Sequence, residues 1–146
     1  MHTFSKRIAA ILAASVFFLL QVTMPVTADE TADTQALLNH HLEAFGTANM
    51  EAILSDYADD AVLVIPGVQF RGAAEIKPVF EGLFAEFGQE GVTFMMIDSY
   101  VQDNVAYIVW SAETPDNSYE IGTDTFVIED GKIAIQTLAF KAVSKK

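Results

Sequence analysis

The chain has 146 residues, no cysteine, and a formal net charge of −12 from 20 acidic and 8 basic side chains. This length suits one domain with one core. The lack of cysteine excludes disulfides and thiolate chemistry, and the acidic excess argues against nucleic acid and anionic lipid as partners.

Residues 1–28 read as an export leader. Lys6 and Arg7 form a basic start, and Ile8 to Val22 is an apolar run too short to span a bilayer comfortably. Met24-Pro25 breaks that run, and Val26-Thr27-Ala28 offers small residues before a cut ahead of Asp29. The expected mature domain is 29–146, periplasmic or secreted, with no membrane attachment after cleavage.

Thr31 to Ala48 is predicted as a helix, capped by Thr31 or Asp33. Its apolar stripe carries Leu37, Leu38, His41, Leu42 and Phe45, so His41 faces inward and His40 lies about 100° away. Gly46 to Asn49 interrupts the chain, and Asn49 caps a short helix from Met50 to Tyr57. Tyr57-Ala-Asp-Asp ends that helix, Ala61 to Ile65 forms a short strand, and Pro66-Gly67 turns the chain. Gly72 to Phe87 is a third helix with a stripe of Ile76, Val79, Phe80, Leu83, Phe84 and Phe87. Pro78 is tolerated there only if the helix starts near Ala74 or Glu75.

Beyond Gly91 the period changes to two. Val92 to Gln102, Val105 to Glu113, Tyr119 to Glu129 and Lys132 to Val143 are strand-length segments. Asp103-Asn104 and Asp130-Gly131 suit tight hairpins, and Pro115 to Ser118 suits a longer loop. The expected class is α+β: a curved antiparallel sheet packed by three N-terminal helices.

Three segments carry a family likeness: NMEAILSDYADDAVLVIPG at 49–67, the helix opening FRGAAEI at 70–76, and the hairpin TDTFVIEDGKIAI at 123–135. In their order and spacing the chain resembles the nuclear transport factor 2-like superfamily, which includes SnoaL-like cyclases and ketosteroid isomerase. The resemblance implies a cone-shaped α+β domain, a homodimer through the sheet, and a pocket of variable use. Ketosteroid isomerase uses an Asp base with an oxyanion hole of a Tyr and a protonated Asp. On this likeness the base position falls at Ile65, the phenol at His41 and the protonated acid at Asp124. The base is missing, so steroid isomerisation is not expected.

His41 and Asp124 are the candidate catalytic pair. Asp124 alternates with Gly122, Phe126 and Ile128 on one strand face. If that face lines the cone, His41 becomes a general acid/base oriented by Asp124. The same pair also fits a hydrogen-bonded element of the core. The expected pocket wall adds Phe45, Tyr57, Ile65, Phe80, Phe84, Trp110 and Phe126, the aromatics serving equally as core. Arg71 is placed at the pocket mouth or in an ion pair. His40 and Glu43 lack a third ligand, so no metal is expected, and no motif calls for a cofactor.

The functional expectation is an exported domain that binds a small apolar molecule. Two alternatives stand beside it. One is an enzyme of the cyclase, isomerase or dehydratase type using His41 with Asp124. The other is a dimeric protein–protein interaction module.

Overall fold

A computed structural model describes residues 28–146. The leader expected at residues 1–28 therefore lies outside the described residues, except for Ala28. The elements are α1 (Ala28–Gly46), α2 (Met50–Ser55), β1 (Tyr57–Ile65), β2 (Val68–Arg71), α3 (Gly72–Phe87), β3 (Thr93–Gln102), β4 (Val105–Glu113), β5 (Asn117–Glu129) and β6 (Lys132–Ser144). The strands form one sheet in the order β2-β1-β6-β5-β4-β3. All neighbours are antiparallel except β1 and β6, which run parallel. The sheet is therefore mixed, not purely antiparallel. The first strand inserts beside the last because Pro66-Gly67 folds β2 back onto β1, which leaves the other edge of β1 free for β6. No helix among the described residues is long and apolar enough to cross a membrane.

α1 closes with Ala48 in the left-handed region (φ 50°), and the Asn49 side chain accepts from the Ala52 N–H at 3.1 Å to start α2. α2 stops at Ser55, earlier than Tyr57. The Ile133 N–H takes the Asp56 carbonyl at 2.8 Å, so β6 claims the backbone where the helix would have continued. Asp59 and Asp60 consequently lie on the exposed part of β1, not in a turn. The segment after Pro66-Gly67 adds a short edge strand, β2, not foreseen in the sequence.

α3 begins at Gly72, whose φ of 71° only glycine adopts without strain, and an added Cβ would meet the Asp59 carbonyl at 3.0 Å. The Arg71 N–H is held by Glu75 Oε2 at 2.8 Å. Pro78 thus lies in the second turn of the helix, and Ala74 has no N–H from it to accept. Both residues are exposed, so that carbonyl is not sealed from solvent.

Irregularities interrupt the ladders at Tyr57/Val62 in β1, at Met96/Asp98 in β3, at Tyr119/Ile121 in β5, and between Ile133 and Ile135 in β6, and such bulges bend a sheet. Ala106, Ile108, Trp110 and Ala112 of β4 and Gly122, Asp124, Phe126 and Ile128 of β5 face inward. Leu38, Ile53, Leu63, Ile76 and Phe80 pack down on them. The buried face of α3 is Ile76 and Phe80, with Val79, Leu83, Phe84 and Phe87 flanking.

Candidate functional site

A cavity of about 60 Å³ sits between α1, α3 and the inner face of the sheet. α1 supplies His41, Leu42 and Phe45; α3 supplies Phe80, Leu83 and Phe87; the strands supply Phe94, Ile108, Trp110, Asp124, Phe126, Gln136 and Leu138. Phe94, 44% exposed, is the wall residue most open to water. Of the residues singled out in the sequence, His41, Phe45, Phe80, Trp110, Asp124 and Phe126 meet at this cavity. Tyr57, Ile65 and Phe84 are not on its wall. Tyr57 is buried behind His41, its ring 5.6 Å from the imidazole. Ile65 lies at the far end of β1, paired with Val68. Phe84 packs on Phe45 and Phe80 and backs them from outside. Arg71 is exposed and donates to the Asp60 carbonyl at 3.2 Å, away from the wall.

Asp124 is the end of a one-way hydrogen-bond chain. The Tyr57 hydroxyl donates to Gln136 Oε1. Gln136 Nε2 donates to Asp124 Oδ1 at 2.7 Å, and Trp110 Nε1 donates to Asp124 Oδ2 at 2.8 Å. Every proton points towards the carboxyl, so the group is fully partnered as an acceptor. Burial pushes its pKa above the ordinary value of 3.8, while the two hydrogen bonds and the nearby His41 pull it back. Burial, with the charges of Asp124 and Asp56, pushes the Tyr57 phenol well up, so it remains a donor.

His41 is not oriented by Asp124. Its Nδ1–H donates to Asp56 Oδ2 at 3.0 Å, and the Nδ1–H of His40 donates to Asp56 Oδ1 at 2.7 Å. Asp56 is 3% exposed, at the α2–β1 junction under α1. The adjacent imidazoles leave the helix at different angles, as expected, yet the two oxygens of one carboxylate reach both. Around the His41 ring stand Tyr57, Phe80 and Phe126, each edge-on at 5.3–5.8 Å between centroids. Its Nε2 has no protein partner among the described residues. The imidazole forms part of the cavity wall. No group of three metal-ligating side chains occurs among the described residues.

Asp56 and Gln136 carry much of this geometry and were not singled out in the sequence. Asp56 is 15 residues from His41 and belongs to no periodic pattern. Gln136 appears out of phase with Ile133 until the irregularity at Ala134 is known, which brings both to the inner face.

At the other end of α3, Glu86 Oε1 accepts from Thr114 Oγ1 at 2.6 Å, Asn117 Nδ2 at 2.8 Å and the Tyr119 hydroxyl at 3.3 Å. The bonds from Asn117 and Thr114 hold its carboxyl below the usual range. This clamp ties α3 to the β4–β5 loop beside the Phe87 wall.

A SnoaL-like domain model matches residues 38–136. No curated protein matches the chain. Among solved structures, the chain is similar to an NTF2-like protein of unknown function from Mesorhizobium loti, at 18% identity, covering 79% of this chain and 96% of that one, with a TM-score of 0.67. It is similar to a protein provisionally described as a ketosteroid isomerase from Kribbella flavida, at 14% identity, covering 80% and 84%, TM-score 0.65. It is also similar to an LEH-like epoxide hydrolase of M. tuberculosis, at 15% identity, covering 77% and 85%, TM-score 0.61. At these identities the likeness is one of fold.

Proposed function

This chain belongs to the SnoaL-like domain family, of nuclear transport factor 2-like fold, and we propose that it holds a small, largely apolar molecule in the cavity between α1, α3 and the sheet. One observation carries the reading: His41, Asp124 and Gln136 interrupt a wall otherwise made of Leu, Ile, Phe and Trp. Apolar burial supplies affinity, and the few polar groups fix orientation. The cavity, about 60 Å³, is smaller than the roughly 150 Å³ cavity that accepts benzene. A ring-sized guest therefore enters with rotation of Phe94, Leu83 or Phe87, the kind of side-chain change common on binding. Saturation-transfer NMR with cyclohexanol tests this. Binding to the wild type and its loss in Leu83→Trp, which fills the mouth, are expected; equal signal from both places the guest elsewhere. Native mass spectrometry of protein from its own envelope then gives the mass of the natural guest.

A second reading is an enzyme of the cyclase, isomerase or dehydratase type, favoured by His41, whose Nε2 has no partner among the described residues, on the same cavity wall as Asp124. General acid–base catalysis contributes typically 10²–10⁴-fold. On this reading His41→Ala lowers kcat by that order with little change in affinity, whereas a pure binder loses affinity instead. We also propose that residues 1–28 direct export and are removed. The N-terminal sequence of the mature protein is then expected to start at Asp29.

A further inference from the structure

We infer that Asp56 is the positioning residue of His41: it fixes the imidazole as the Nδ1–H tautomer, so the cavity presents a hydrogen-bond acceptor at Nε2 and selects a guest with a hydroxyl or N–H donor. The inference rests on the cavity reading above for the guest, but not for the tautomer. A carboxylate has no proton to give, so each imidazole nitrogen facing Asp56 must be a donor. Asp56 is 3% exposed, and its two oxygens are occupied at 2.7 and 3.0 Å by His40 and His41. It cannot turn away without stripping a buried charge of its partners, which is costly. The second imidazole, half in solvent, thus locks the carboxylate that locks the first. With Nδ1 committed, neutral His41 has only the Nε2 lone pair to offer the cavity.

The consequence is a polarity rule for the guest. A hydroxyl donates to His41 Nε2, which has no protein partner among the described residues. A ketone of the same shape has only acceptors and meets the Nε2 lone pair head-on. A site built around a polar group discriminates strongly against an analogue that leaves that group unpaired.

The test has two parts, both at about pH 8.5, above the usual imidazole range. In the first, ¹⁵N and ¹³C shifts of the His41 ring are read in the guest-free protein, with far-UV circular dichroism confirming that each variant is folded. Wild type is expected to show the Nδ1–H form alone. Asp56→Asn, which has one acceptor and one donor face for two imidazoles, and Asp56→Leu, which has neither, are expected to lose that purity. A wild-type Nε2–H form, or an unchanged Nδ1–H form in folded Asp56→Leu, overturns the assignment. In the second part, cyclohexanol and cyclohexanone are compared. Wild type is expected to prefer the alcohol by roughly tenfold, the scale of one net hydrogen bond, and the Asp56 variants to lose the preference. Equal affinity, or preference for the ketone, overturns the donor rule. Binding of neither ring overturns the guest class together with the cavity reading, while the tautomer still decides the role of Asp56.

Discussion

Asp124 shows how one side chain can link burial, hydrogen bonding and pH. Its folded pKa is raised, chiefly by burial. Between the ordinary carboxylate value and that raised value, the native state binds the proton more tightly than the unfolded chain. Its contribution to stability therefore falls as pH rises through this window, by at most about 1.4 kcal/mol per pH unit, and the loss is complete above the folded value. Asp124→Asn removes that titration. The difference in unfolding free energy between wild type and variant, followed by urea titration from pH 4 upward, is expected to move against the wild type as pH rises; a flat difference contradicts the assignment. Much at this scale was legible in the sequence. Helical period put His41 on the inward stripe, and alternation put Asp124 in phase with Gly122, Phe126 and Ile128, all buried. Asp56 was not legible, because its role comes from a helix ending two residues early against a strand more than 70 residues on.

At the scale of elements, contact between β4 and β5 sets the shape of the cavity. Gly122 lies beneath the Trp110 indole, and a Cβ there would overlap the ring. The indole cannot retreat freely. Its N–H is engaged by Asp124, Phe94 stacks on it at 5.4 Å, and Phe87 meets it edge-on at 5.9 Å. Gly122→Ala is therefore expected to cost about 1–3 kcal/mol, the range for overpacking a tight core, measured by chemical denaturation. It should also redshift the Trp110 fluorescence as the ring moves towards water. The helices and the four long strands could be read from period and turn chemistry. The parallel partner of β1 and the phase change in β6 could not, since alternation gives a face only until a bulge intervenes.

For the whole molecule, the outer sheet face contrasts with the rest of the surface. On a chain of net charge −12, the outward positions of Val105–Val109, Ile121–Val127 and Ile135–Ala139 carry no charged side chain. Ile121 is 47% and Ile135 40% exposed. Open apolar faces of this kind mark contact surfaces, and the proposed occupant is a second copy of the chain. Sedimentation velocity is expected to give a dimer for wild type and a monomer for Val109→Lys, while a monomeric wild type removes the proposal. The fold class could be recognised from the whole pattern, whereas the identity of the outward-facing residues needed the register.

The parallel pair of β1 and β6 has a bearing on timing. Tyr57 is matched with Ile133, so the first strand cannot find its neighbour until nearly the entire polypeptide is available. Contacts so far apart along the chain slow the search for the native state. A chain still on the ribosome would lack the strand that joins the two halves of its sheet. Stopping translation at Gly131 is expected to leave a product that circular dichroism reads as unfolded, because β5 and β1 would both lose the strand that joins them.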